Sequence, residues 1–269
     1  SSIYAGGNIL RQLAGFIMLP IYTQHLTPAD YGIIGLLTFA ISLIDLLFGA
    51  RMVQAVPKFY HQFDNRNDKY AVISTAMIQT AAISSVTLLI VVLFRSDASN
   101  QLFGSTDYQL ILGIFAVTIL TQAIENYGLL FLRIQRKAWF FLALNFSKLI
   151  TQLSLNIYFV VYLEMGVMGV AISTATVAIL FAFIIGTITL VKTGFHYRWD
   201  VGNRMIIFCW PLWVAGVAAL YIGSANRYYM RIYSSLDDIG LYELASRFAM
   251  ILTVLIWRPV NLYWQTERF

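Results

Sequence analysis

Residues 19–35 read LPIYTQHLTPADYGIIG, and this stretch decides the fold. An apolar run reaches Pro20 and Tyr22, then Thr27, Pro28 and Asp30 supply helix-start chemistry, and Tyr31 and Gly32 open a second apolar run. The stretch reads as the hinge of a helical hairpin. It has an echo, SSLDDIGLYEL over 234–244, in which Asp238 and Gly240 stand 208 residues after Asp30 and Gly32. The match is short, so it indicates a duplication only if the order of helices agrees.

The runs flanking the hinge belong to a membrane protein. Of 269 residues, 59% are hydrophobic and only 12% charged, with a mean hydropathy of +0.71. Soluble domains do not have this composition. Apolar segments of the ~18 residues that mark a membrane-helix candidate recur along the whole length. The prediction is an all-α, polytopic transmembrane helix bundle of about eight helices, near 3–24, 29–56, 71–94, 108–132, 138–163, 167–191, 205–232 and 239–264. The first run carries Arg11 within it and lacks a basic start followed by a cleavage site, so it reads as a span and not as a cleaved leader. Because the chain begins with Ser1, the sequence predicts a start trimmed by a few residues.

A net charge of +5 could point to nucleic acid, but the basic residues fall in short loops between apolar segments, a pattern that orients a membrane protein. Lys58, Arg66 and Lys69 follow the second helix, Arg133, Arg136 and Lys137 the fourth, and Lys192, Arg198 and Arg204 the sixth. The other connections hold only Arg95 and Arg231. Nine against two places the N-terminus and the basic loops in the cytoplasm.

With this order, the opening hairpin joins helices 1 and 2 on the outer face, its echo joins helices 7 and 8, and the offset spans six helices in the same direction. That is a parallel repeat. Residues 1–198 are read as a six-helix N-terminal lobe, and 199–269 as the first two helices of an incomplete second lobe. The chain is therefore expected to be a fragment or a natural truncation.

The single cysteine, Cys209, rules out a disulfide within the chain and a thiol–metal cluster. There is no Walker loop, paired-cysteine motif or HExxH, and His25, His61 and His196 fall in loops. No cofactor, metal site or enzymatic activity is expected.

Charges inside a membrane cost at least ~2.5–3.5 kcal/mol on insertion scales, so each needs a reason. In the fifth helix Asn145, Lys148, Gln152 and Asn156 are spaced 3, 4 and 4, which puts them on one stripe. Glu125 lies on a polar face of the fourth helix, Asp45 on the second and Arg11 on the first, while Arg51 lies near the cytoplasmic end of the second and can snorkel. Arg227 sits in the seventh helix, and Glu243 with Arg247 forms an i, i+4 pair in the eighth. Two readings stay open for these residues. They are interhelical pairs, such as Asp45 with Arg11 or Glu125 with Lys148, or they line a hydrated cavity. Six of the eight expected helices carry a polar stripe, which favours the cavity. The sixth instead carries small residues, among them Gly169, Ser173, Ala178 and Ala182, suited to close packing.

Arg11 in the first helix, LPIYTQHLTPADYGIIGLL after it and GARMVQAVPKFY closing the second together resemble the Wzx-like polysaccharide flippases. These O-antigen and capsule repeat-unit flippases belong to the multidrug/oligosaccharidyl-lipid/polysaccharide exporter superfamily, whose members have 12 or 14 helices in two lobes. The resemblance implies a transporter in the bacterial inner membrane that flips undecaprenyl-pyrophosphate-linked oligosaccharide to the outer leaflet by alternating access, with polysaccharide polymerase machinery as a further partner. It also implies that Arg11, Lys148, Arg227 and Arg247 attract the pyrophosphate, that Asn and Gln bind sugar hydroxyls, and that Asp45, Glu125 and Glu243 temper the field or carry a coupling proton. The alternatives are a cation-coupled multidrug exporter of the same superfamily and, from another class, a membrane-embedded glycosyltransferase or polymerase. The last needs long loops bearing catalytic groups, and the outer loops here are short.

Overall fold

A computed structural model describes residues 19–48 and 52–252. In chain order the helices are α1 (Leu19–His25), α2 (Pro28–Phe48), a 3-10 turn (Met52–Gln54), α3 (Val56–Tyr60), α4 (Arg66–Leu93), α5 (Arg95–Phe103) and α6 (Gln109–Ile134). They continue with α7 (Ala138–Asn156), a π-helical turn (Ile157–Tyr162), α8 (Gly166–Thr193), α9 (Trp199–Ser224), α10 (Asn226–Tyr233) and α11 (Leu236–Leu252). No strand occurs among the described residues.

Local chemistry sets these boundaries. Thr27 caps α2, and Pro28, whose missing N–H costs nothing in the first turn, follows it. The Asn65 side chain accepts the Asn67 N–H at the start of α4. Gly104, at φ +71°, closes α5 in the left-handed conformation that glycine adopts without strain.

Among the described residues, five helices are long and apolar enough to span a bilayer: Pro28–Leu47 within α2, and the whole of α4, α6, α8 and α9. They correspond to expected spans two, three, four, six and seven. The fifth expected span, α7 with its π-helical extension, falls short of that hydropathy because its stripe of Asn145, Lys148, Gln152 and Asn156 dilutes it. The seventh differs from expectation. It starts six residues earlier, at Trp199, and breaks at Ala225, beyond which the strongly polar α10 runs as a separate short helix. Most of the expected first span lies outside the described residues, as does the end of the eighth.

Centrally, α6 packs between α4 and α8. Glycines make the α6–α8 approach close, with Ile185 seated on Gly128 and Ile124 on Gly186. Large apolar side chains that remain uncovered, such as Leu89 on α4, Phe183 on α8 and Ile207 and Val214 on α9, are those a lipid solvent accepts. The start of α9 packs against these helices, with Val201, Met205 and Cys209 buried among Met52, Val56, Val72 and Phe131. Farther along the chain, α11 lies along α2.

Candidate functional site

The hinge and its echo form matching caps. The Thr27 N–H and hydroxyl both donate to Asp30 Oδ2, at 2.9 Å each, and the Asp30 N–H returns to Thr27 Oγ1 at 3.3 Å. In the echo, the Ser235 N–H and hydroxyl donate to Asp238 Oδ2 at 3.0 and 2.7 Å, and the Asp238 N–H donates to Ser235 Oγ at 3.2 Å. Both are reciprocal capping boxes, which satisfy N–H groups that a helix start otherwise leaves unpaired. The Ser235 hydroxyl and N–H hold the Asp238 carboxyl below the usual carboxylate range.

These caps place the first turns of α2 and α11 against each other. A Cβ on Gly32 would overlap the carbonyl of Leu236, and one on Gly240 would overlap the carbonyl of Pro28. Leu236 lies 208 residues after Pro28, the same offset as Gly240 from Gly32, so the contact is reciprocal. One turn deeper, the Glu243 carboxyl lies on Gly35, the residue 208 positions before it. We call this contact the seam.

The expected cations and anions of the eighth helix meet here with a changed pairing. Glu243, 8% exposed, is bound by the Arg227 guanidinium of α10 and not by Arg247. Its carboxyl is turned onto Gly35 within reach of α10, which corrects the i, i+4 pairing expected from sequence. Arg247 instead lies over the ring of Tyr31, 5.4 Å from its centroid. Arg231 Nη2 donates to the carbonyl of Phe103 at 2.6 Å, tying α10 to the turn after α5.

The α7 stripe faces α6 and α8. Lys148 Nζ sits 2.5 Å from Glu125 Oε2, and the buried Asn145 donates to the Phe141 carbonyl at 2.7 Å. Glu125, Asn145 and Lys148 border a void of about 10 Å³, close to the room one water needs. Gln152, Asn156 and Ser173 form a closed network joining α7 to α8. Asp45 is half-buried on α2 and engaged in an interaction of its own. Arg11 and Arg51 lie outside the described residues. Thus Arg227, Glu243 and Arg247 come together at the seam, while Glu125, Asn145, Lys148, Gln152 and Asn156 line the α6–α7–α8 contacts.

Sequence reasoning missed Tyr31, Gly35 and Ser173. The 208-residue offset pairs Gly35 with Glu243 and carried that signal. For Ser173, only its place on a small-residue helix hinted at contact. A separate apolar groove of about 550 Å³ lies between α4, α6 and α8, lined by residues such as Met77, Val117, Ile124, Phe183 and Leu190.

The architecture defines the class: a multi-pass helical membrane protein with charged pairs between its helices. The chain belongs to the polysaccharide biosynthesis protein family, whose profile matches residues 1–263. It is 27% identical over 272 residues to proteins named lipid III flippase in Escherichia coli K12 and Shigella flexneri, an alignment covering 96% of this chain and 64% of theirs. It is 21% identical over 262 residues to a protein of the Lsg locus of Haemophilus influenzae, covering 95% of this chain and 62% of that one. The chain therefore spans less than two thirds of the length of these relatives. No solved structure matches it. The family bears out the resemblance to Wzx-like flippases drawn from the hinge.

Proposed function

We propose that this chain is the N-terminal part of a transporter, not an enzyme, that flips undecaprenyl-pyrophosphate-linked oligosaccharide across the bacterial inner membrane. The seam carries this reading. Alternating access needs two lobes that can part and rejoin on one face, and the reciprocal Gly32–Gly240 contact is a joint of that kind between a first-lobe helix and its repeat. Two guanidinium groups also lie near the seam, Arg227 on Glu243 and Arg247 over the Tyr31 ring, and arginines are suited to pair with an anionic headgroup. The relatives named lipid III flippase support a lipid-linked oligosaccharide as cargo.

In this reading the N-terminus and the basic loops are cytoplasmic and the seam lies at the outer face. The flipped unit then passes to polysaccharide polymerase machinery. Residues 1–198 act as one lobe and 199–269 begin the second. Arg11, Asp45, Arg51, Glu125, Asn145, Lys148, Gln152 and Asn156 serve the cavity of the first lobe.

The test is reconstitution of the full-length protein in vesicles with a labelled polyprenyl-pyrophosphate oligosaccharide added to one leaflet. Appearance of the label in the other leaflet, read by lectin access, is the expected outcome. No transfer above protein-free vesicles sinks the reading.

A further inference from the structure

The end of the bundle that carries the basic loops holds a group of cations with no acid among them. Arg133 stands in the last turn of α6, Arg136 and Lys137 form the turn into α7, and Lys192 stands in the last turn of α8. All four are exposed, and none makes an ion pair among the described residues. The carboxylates at this end are engaged elsewhere or stand apart. Asp68 pairs with Arg198, Asp200 with Arg198 and Arg204, and Asp64, in the α3–α4 connection, with none of the four.

Two of these cations touch each other. The Lys137 and Lys192 side chains come within hydrogen-bonding reach. Ammonium groups carry donors only, so the contact is repulsive as it stands. The packing beneath it fixes the two positions: Leu129, Leu132, Phe141 and Ile185 form one buried cluster, in which Phe141 lies one turn after Lys137 and Ile185 two turns before Lys192 on the same helix faces. Basic residues that only orient a chain have no need to meet. A phosphate between the two lysines turns their repulsion into charge-assisted hydrogen bonds.

Arg136 supplies an independent observation. The Lys137 N–H donates to the Leu132 carbonyl and the Arg136 N–H to the Arg133 carbonyl, at 3.0 Å each. This is a Schellman turn, whose left-handed position glycine normally fills. Here Arg136 fills it, at φ +55°. A side chain in that conformation costs stability, and such strain persists where the side chain serves a function. Just beyond the cations, Trp139, Phe140 and Val191 are exposed apolar groups, which places the cluster at a boundary with lipid.

We infer that Lys137, Lys192 and Arg136 form a site for the phosphate of an anionic phospholipid, in the leaflet that this end of the bundle meets. The lysines hold the phosphate oxygens, Arg136 adds its charge from the turn, and Trp139 and Phe140 border the hydrocarbon. A zwitterionic lipid brings its own cation to the phosphate, so the cluster selects a headgroup of net negative charge. The site takes from the flippase reading only that this leaflet is the cytoplasmic one. A lipid bound there ties the α6–α7 turn to the end of α8 and stabilises their contact.

The test titrates purified full-length protein with phosphatidylglycerol and, separately, with phosphatidylcholine. Native mass spectrometry reads the affinity of the first bound lipid, and melting in nanodiscs of each lipid reads stability. Wild type should bind phosphatidylglycerol more tightly. Lys137→Gln and Lys192→Gln should each weaken that binding about fivefold, the scale of one basic side chain at an anionic surface. The double variant should lose little more than either, because both lysines hold one phosphate. Lys69→Gln, at the same end but outside the cluster, should bind as wild type does; equal losses in all three single variants would mean diffuse surface charge and overturn the site. In phosphatidylcholine, Lys192→Gln should melt no lower than wild type, and phosphatidylglycerol should raise the melting temperature of wild type but not of the double variant. Arg136→Gly should melt higher in phosphatidylcholine yet bind phosphatidylglycerol more weakly. Undiminished binding by that variant overturns the three-residue site. Displacement of the lipid by an equal concentration of inorganic phosphate, or by a lower one of farnesyl pyrophosphate, overturns the phospholipid assignment in favour of a free anion or of the cargo. Flipping without any lysine-dependent lipid preference sinks this site and spares the flippase reading, while the preference without flipping does the reverse.

Discussion

Gly32 and Gly240 stand face to face at the seam, each with its α-carbon against the backbone of the other's helix. A methyl group on either meets a carbonyl, Leu236 in one case and Pro28 in the other, and backbone cannot swing aside as a side chain can. Gly32→Ala and Gly240→Ala should each lower stability by ~1–3 kcal/mol, the scale of overpacking. Because the first substitution already forces the helices apart, the double variant should cost less than the sum of the two. Thermal melting of the four proteins checks this. Full additivity would show that the two glycines do not share one contact.

The capping boxes give a second expectation. Thr27→Ala and Ser235→Ala each remove an N-cap, worth ~1 kcal/mol. The depressed Asp238 pKa adds a pH dependence with a definite sign. A carboxyl whose folded pKa lies below its unfolded value of ~3.9 contributes stability above that value and loses it as pH falls through the folded pKa. Acid melting of wild type should therefore show a component below about pH 4 that Asp238→Asn lacks. Parallel curves for the two proteins would remove the cap from the account.

Glu125 and Lys148 separate packing from transport. Glu125 is 6% exposed, so removing Lys148 alone leaves a buried carboxylate without its partner, at a cost of ~3–5 kcal/mol for a fully buried pair and less here, where Lys148 is partly exposed. Replacing both, Glu125→Leu with Lys148→Met, should restore most of the stability. The flipping rate of the restored double variant then decides. If the pair only joins α6 to α7, flipping returns with stability; if it lines the path, flipping stays low in a well-folded protein.

How much of this was legible in the sequence varies by residue. Composition, the hinge and the charge of the loops were enough for a polytopic helical bundle, since the energetics of lipid leave few other solutions. The 208-residue echo pointed to the α2–α11 relationship, because cap chemistry at Thr27 and Asp30 is local and recurs at Ser235 and Asp238. Pairing was less legible. Glu243 has Arg247 at i+4, yet it bonds Arg227, sixteen residues earlier, because the extended residue Ser234 ends α10 and the chain re-enters a helix at Leu236 with α10 beside it. Nor does a periodic stripe show which neighbour it faces. Asn145, Lys148, Gln152 and Asn156 share one face of α7, and only the packing of α6 and α8 against it supplies their partners.

Arg231 provides the last expectation. Its Nη2 reaches the Phe103 carbonyl, and the guanidinium rests on Gly104, whose positive φ and missing side chain leave it room. Arg231→Met removes a charge-assisted hydrogen bond worth ~1.5–3 kcal/mol. Gly104→Ala reaches the same point from the other side, since its methyl would strain the turn and displace the guanidinium. Both variants should release α10 from the α5–α6 turn, so the double variant should be little worse than the more severe single. Hydrogen exchange reports this locally: amides of α10 and of the α5–α6 turn should exchange faster together, while those of α6 and α8 keep their protection. Faster exchange confined to the turn in Gly104→Ala, with α10 unchanged, would mean that the bond carries no restraint between the two.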